Sequence, residues 1–564
     1  MTGYVIPQFN TFRSNTRIRE SRSLSPHWPN RECLQIAGVF LILLLLRIPA
    51  LTGTINLHSD ATEYIDIARN IAAGEGPLLK IRAYFFDDGF TLPFPAAPLR
   101  SLVFPLLMSG VYSVIQSNLV FQWFNLGIFL VNMVLLALIL RPVLPSWVLA
   151  YSLLLIGLCE PVFLTSIFPG AEQTAFFWLL AAMLMASREI HRRWGLWGAA
   201  AEGIAASLAA MSRPEYALTG LLFLIWLWLR EKRPAVCALF LAGFLIPLAA
   251  LHAWNYAAYG RLFITSDYLF RNRHYSTYFT LENLKGGDTG PFFLANWIWI
   301  AGRIVRNAIN YLGKLIGLKN LFLLALALPL IFRTILRDHS WRKQHLALVP
   351  AAFFIAYSLV WSTLDRERFP LAITPFLLPL CLLEINRWRL ISRRFWFRAA
   401  CIVIMAVNLP LFLLNVVRAD FKIQQRSGLG DRYYAREDPT WSNPDMQSLA
   451  HWIRANTGKD EILCLENPFL TNYLTGRPSL LLPDRLNPAE FPDFLRSFQV
   501  RYWVNNPVYT KQPAKLLTEL RLAAENSGAR QTARCGTYEI WSITGLKNDA
   551  NVADYGEEMS RELP

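Results

Sequence analysis

The chain has 564 residues, of which 54% are hydrophobic and only 17% charged, with 37 Phe, 20 Tyr and 19 Trp and a mean hydropathy of +0.29. A soluble enzyme carries about 25% charged residues and a disordered chain few aromatics, so both classes are excluded; apolar blocks of membrane-spanning length define a polytopic membrane protein. The 55 Lys and Arg against 40 Asp and Glu sit in short clusters between those blocks, which marks topology and excludes nucleic acid as a partner.

Arg13, Arg17, Arg19, Arg22 and Arg31 precede the aliphatic run Leu34–Leu46. A basic flank before an apolar run with no small-residue cleavage site reads as a retained signal anchor with a cytoplasmic N-terminus. Apolar segments follow at about 119–140, 145–165, 172–187, 195–212, 215–229, 235–256, 319–336, 345–362, 369–386 and 397–417, which predicts about eleven spans. Leu99–Ile115 is also apolar. Counted as a span, it would put the clusters at Arg141, Arg192, Arg230 and Arg333 outside; as an interfacial helix it leaves all of them inside, together with Arg387–Arg394.

The expected organisation is therefore a cytoplasmic segment 1–33 and a transmembrane domain 34–417 with outer loops 53–118 and 257–318. An extracytoplasmic α/β domain 418–548 and a disordered tail 549–564 follow. In the C-terminal domain the runs from Met446, Glu461, Val500, Lys515 and Thr537 read in turn as helix, strand, strand, helix and strand. Seven scattered cysteines with no CxxC or Cys/His spacing imply neither a zinc site nor a disulfide framework.

In the first outer loop, Asp60 and Glu63 open an amphipathic run that ends at Gly74-Glu75-Gly76. That spacing is a helix with a capping-box-like start. A cap and a catalytic carboxylate are compatible readings of Asp60, because a helix N-terminus holds a carboxylate rigidly and keeps it ionised. His58 beside it admits a divalent metal only weakly, and no cofactor is implied with certainty.

The run Asp60–Gly76 just outside a first span resembles the opening loop of GT-C glycosyltransferases of the protein O-mannosyltransferase and lipid A aminoarabinose-transferase type. Pro95-Ala96-Ala97-Pro98, Phe168-Pro169-Gly170-Ala171-Glu172, Ser212-Arg213-Pro214-Glu215, Asn255 with Gly260, and Arg366-Glu367-Arg368-Phe369-Pro370 extend the likeness over roughly residues 34–420. The family's Asp-Glu doublet is absent, since Ala61 follows Asp60. The resemblance implies a GT-C-like membrane fold and inverting transfer of a sugar from a polyprenyl-phosphate donor to a lipid, glycan or protein hydroxyl on the outer face. It makes Asp60 the general base or an acceptor-orienting carboxylate and places a second carboxylate at Glu172, with Glu63 as a further candidate.

Glu172 at the outer end of a span otherwise reads as a helix cap. The leaving phosphate calls for cations, and arginine matches its oxygens best. Arg368 ranks first, followed by Arg366, Arg213, Arg47, Arg82, Lys80 and Arg271. The competing readings are snorkelling for Arg47 and ion pairing for Arg213 with Glu215 and for Arg366 and Arg368 within their own cluster. The rival functions are a transporter and a non-catalytic polysaccharide-export or assembly subunit. The expected location is the bacterial inner membrane with the C-terminus outside.

Overall fold

The computed structural model describes residues 30–51, 55–83, 92–96, 100–186, 194–259, 289–316, 341–360, 369–391, scattered positions between 395 and 417, and 434–437, 444–483, 486–507 and 513–543. Helix α1 (Asn30–Leu45) leads through a single turn, α2 (Ile48–Leu51), into strand β1 (Ile55–His58) and helix α3 (Ser59–Ala72). Short strands β2 (Leu78–Leu79), β3 (Ile81–Arg82) and β4 (Phe94–Pro95) precede helix α4 (Val103–Val114).

The bundle continues with α5 (Leu119–Leu140), α6 (Ser146–Leu158), α7 (Glu160–Ile167), α8 (Ala171–Met185), α9 (Leu196–Ser212), α10 (Ala217–Glu231) and α11 (Pro234–Tyr259). Helices α12 (Thr289–Ile316), α13 (Trp341–Val360) and α14 (Phe369–Ile391) follow. Among the described residues, Leu119–Leu140 and Pro234–Ala257 are each long and apolar enough to cross a membrane, and α6 with α7 makes a third such unit bent by 65°. The expected spans at 319–336 and most of 397–417 lie outside the described residues.

Two segments depart from the simple hydropathy reading. Leu99–Ile115 yields α4 over only 12 residues, about 18 Å and well short of a 30 Å hydrocarbon core. The expected span 145–165 is broken at Cys159, which takes φ −61° and ψ 127° before Glu160-Pro161. Proline lacks an N–H and disfavours helical backbone before it, so the helix stops and restarts.

Carbonyls at the ends of α1 and of the interrupted α6 lie inside the bundle, where each needs a donor. Arg47, fully buried, supplies them. Its Nη2 donates to Gly157 O at 2.7 Å, its Nη1 to Leu43 O at 3.0 Å and its Nε to Ser166 Oγ at 2.6 Å. The guanidinium also lies over the Phe129 ring at 4.1 Å and the Phe163 ring at 4.9 Å.

The C-terminal region builds a six-stranded mixed sheet in the order β3-β7-β6-β8-β10-β9. Its strands β6 (Ile462–Leu465), β7 (Ser479–Leu481) and β8 (Val500–Asn505) run parallel, with β10 (Tyr538–Ser542) antiparallel to β8 and β9 (Arg530–Cys535). Helices α15 (Pro444–Asn456), α16 (Pro468–Thr475), α17 (Phe491–Ser497) and α18 (Ala514–Asn526) accompany them.

Strand β3 comes from the first loop and pairs in parallel with β7, Ile81 opposite Ser479 and Arg82 opposite Leu480. Strand β1 pairs antiparallel with β5 (Tyr434–Glu437). Paired strands share one side of a membrane, so the first loop and the C-terminal sheet do too. An apolar cluster of Leu57, Tyr64, Ile65, Ala68, Phe104, Met108, Phe121, Ala171 and Tyr473 fills the junction between loop, bundle and sheet.

Candidate active site

Helix α3 brings Asp60 and Glu63 onto one face of its first turn, because residues three apart are neighbours on a helix. Arg100, one residue pair ahead of α4, reaches both. Its Nη2 lies 3.1 Å from Asp60 Oδ1, and its Nε and Nη2 both contact Glu63 Oε2. Glu63 is 1% exposed and Asp60 8%. Burial pushes the Glu63 carboxyl up to about 7 against the opposing pull of Arg100.

A second cluster forms where two bundle turns meet. Glu172 stands in the first turn of α8, after Gly170 in extended backbone; a Cβ at Gly170 would run into Glu172 Oε2. Arg213 ends α9, and Pro214 after it prevents the helix from continuing. Its Nη2 lies 3.1 Å from Glu172 Oε1 and its Nε 3.2 Å from Glu215 Oε1.

The turn before Glu172 is held from α5. Asn125 Nδ2 donates to Thr165 O at 2.6 Å and to Phe168 O at 2.8 Å. Asn132 Nδ2 donates to Gln173 Oε1 at 2.9 Å, and Gln173 Nε2 to Thr165 Oγ1 at 2.9 Å. These bonds satisfy carbonyls that would otherwise be orphaned at the end of α7.

Tyr64 joins the two clusters. Its ring packs edge-on against Phe104 at 5.7 Å. Burial pushes its phenol up to about 12, and the charges of Arg213, Glu172, Asp60 and Arg100 all act on it. Four carboxylates therefore face two guanidiniums, so a phosphate brought here needs further cations. Among the described residues no group of three or more His, Cys, Asp or Glu side chains is gathered as for a metal.

The structure places the expected residues as follows. Asp60 and Glu63 come together, as do Glu172 and Arg213. Arg213 makes the anticipated ion pair with Glu215 in addition to the one with Glu172. Arg47 is sealed in the bundle as a clamp on helix ends and does not snorkel. Lys80 Nζ bonds Glu75 Oε2 at 2.6 Å, and its backbone N–H donates to Asp66 in the middle of α3 at 2.6 Å, so its charge is paired away from Asp60. Arg82 is buried in β3 with its guanidinium 4.9 Å from the Phe498 ring of the C-terminal sheet domain. Arg271, Arg366 and Arg368, and the side chain of His58, lie outside the described residues.

Arg100 and Tyr64 were not anticipated. The signal for Arg100 was its position: a cation just ahead of an apolar helix opposes the helix dipole and needs a local anion.

No family model matches the chain, and no curated protein matches it. Solved structures do. ArnT from Cupriavidus metallidurans bound to undecaprenyl phosphate aligns with a TM-score of 0.56 at 12% identity, covering 90% of this chain and 98% of ArnT. The archaeal oligosaccharyltransferase AglB from Archaeoglobus fulgidus, in complex with an inhibitory peptide and a dolichol-phosphate, aligns with a TM-score of 0.53 at 12% identity, covering 91% and 74%. At this identity the likeness is one of fold. The chain shares the GT-C-like fold of these two proteins over about 90% of its length.

Proposed function

We propose that the protein is a membrane glycosyltransferase that moves a sugar from a polyprenyl-phosphate donor to the hydroxyl of a lipid, glycan or protein on the outer face of a bacterial inner membrane. The observation that carries this reading is the pair of buried carboxylate–arginine clusters, Asp60/Glu63/Arg100 and Glu172/Arg213/Glu215, facing Tyr64 on a GT-C fold. ArnT, which binds undecaprenyl phosphate, supports the donor class.

In the proposed reaction the acceptor oxygen bonds to the anomeric carbon as the bond from that carbon to the phosphate oxygen breaks, with inversion. The acceptor proton passes to Asp60, and the carrier leaves as polyprenyl phosphate. Glu172 orients the reactants from the opposite turn. Arg368 foremost, with Arg366 and Arg271, supplies the phosphate with cations that the described clusters do not provide. The topology that goes with this has about eleven spans, α4 lying on the outer surface, and residues 418–548 outside as a domain. The 12-residue length of α4 and the sharing of one sheet by first loop and C-terminal region support it.

The test is release of polyprenyl phosphate by protein in nanodiscs given a panel of undecaprenyl-phosphate hexoses and pentoses with extracted envelope lipids and glycans. Asp60 lies within the first turn of α3, which starts at Ser59, and not at its N-cap; Asp60→Asn keeps the shape but cannot take a proton, so transfer falls by roughly 10² to 10⁴. Near-normal release by Asp60→Asn would return Asp60 to a purely structural role.

A further inference from the structure

Arg100 is shared unequally. Two of its nitrogens contact Glu63 Oε2, while one of them, Nη2, also meets Asp60 Oδ1 at 3.1 Å. Glu63 is the more deeply enclosed of the two carboxylates, at 1% against 8% exposure. It is therefore poorly placed to meet a substrate. The backbone under Arg100 is tied down as well: its N–H donates to Ala96 O at 3.0 Å, and Ala96 N–H donates to Pro77 O at 2.9 Å, just past the end of α3. The guanidinium thus approaches α3 from a segment bonded to the same loop.

We infer that Arg100 is a positioning residue that aims and tunes Asp60, and that Glu63 sets how much of the Arg100 charge Asp60 receives. The inference deepens the proposed transfer reaction and rests on it. With Glu63 ionised, the cation is drawn largely to Glu63 and Asp60 stays basic enough to accept a proton. With Glu63 neutral, the whole charge falls on Asp60 and weakens it as a base. With Arg100 neutral, Asp60 loses its cation, holds its proton more tightly and is no longer aimed. Among the described residues, the other charged or titratable groups near the pair are Tyr64 and Asp66 on α3, Lys80 beside Asp66, and Glu172, Arg213 and Glu215 from the bundle turns; they are the same in every variant below.

The test is the pH profile of kcat/KM for transfer in Glu63→Gln, Arg100→Gln and Arg100→Lys. An adjacent opposite charge moves a carboxyl group by about 1 to 3 pH units. Glu63 takes up its own proton near pH 7, above the limb set by Asp60, so the wild-type profile is expected to carry a step there that Glu63→Gln abolishes while leaving the acid limb in place. Arg100→Gln is expected to shift the acid limb up by about one unit, with Arg100→Lys returning most of the shift. A step that survives in Glu63→Gln, or an acid limb unmoved in Arg100→Gln, overturns the inference, because a merely structural role lowers the rate without changing the shape of the profile. A second readout needs no turnover: infrared titration of the same proteins in nanodiscs, with the Asp60→Asn spectrum subtracted to isolate the Asp60 band. A midpoint raised in Arg100→Gln and a band change near pH 7 lost in Glu63→Gln, without transfer by the wild type, would overturn the proposed reaction and leave the Arg100 sharing in place. A band unmoved in both variants overturns the sharing itself.

Discussion

Arg47 sits among aliphatic and aromatic side chains with no exposed surface, and it is held by three hydrogen bonds and two rings. A buried charge persists only where its donors are satisfied, and each charge-assisted bond contributes about 1.5 to 3 kcal/mol. Arg47→Met removes the charge but strands the Gly157 carbonyl. We expect a loss of roughly 2 to 4 kcal/mol, read as a lower melting temperature in detergent. Arg47→Lys should recover only part of it, because a point charge cannot reach three acceptors in a fork. An unchanged melting temperature in Arg47→Met would count against the clamp. The sequence showed Asp60 and Glu172 through helix-start spacing and a costly carboxylate at a span end. Arg47 read there as an ordinary cation at the edge of a hydrophobic run, since nothing local reveals that α6 and α7 break opposite it. Arg100 was hidden for a related reason: its partners lie on another segment, and only the tertiary fold brings them within reach.

Helices α9 and α11 cross at a point where both carry glycine. A Cβ at Gly203 would run into Phe240 O, and one at Gly243 into Ala200 O. Small residues at a crossing let backbones approach within van der Waals contact, the main source of helix association in lipid. Because α9 ends at Arg213, spreading the pair displaces the cation bound to Glu172. Gly203→Leu is expected to cost about 1 to 3 kcal/mol and to reduce transfer with it. Gly127→Ala on α5, where nothing lies within 4 Å, should be neutral or stabilising by up to about 1 kcal/mol. Parallel melting curves and transfer assays of the two variants check the contrast. At this scale hydropathy located most helices, since period and composition suffice for long apolar segments. It did not find β2 and β3, two residues each, which are too short to show any alternation and exist only because a partner strand is supplied from elsewhere.

The molecule is joined at α3, which touches the bundle through Phe104 and Phe121, and the sheet domain through Tyr473. Arg69 donates to Tyr473 O at 3.1 Å and to Asn118 Oδ1 at 2.7 Å, bridging both parts. Asp66 accepts the Lys80 N–H at 2.6 Å and interacts with Asn472 of α16. Burial raises its carboxyl to about 6 from an ordinary value of 3.8. The folded state therefore holds a proton that the unfolded state has released, and this contribution to stability, complete below about pH 4, is lost as pH rises through 6. Asp66→Asn keeps an acceptor for Lys80 and cannot ionise, so its melting temperature should fall less than that of the wild type between pH 4 and 7. Equal slopes in thermal melts across that range would exclude Asp66 as the titrating group. The pairing of β3 with β7 also orders events in time. Ile81 is translated nearly four hundred residues before Ser479, its neighbour in the sheet. The loop that carries Asp60 must wait, unfinished, until those further residues have left the ribosome. A chain halted before Ser479 should therefore leave the first loop open to protease, whereas the chain that includes the sheet protects it, so that the proposed reaction centre is assembled only after the C-terminal strands have been made.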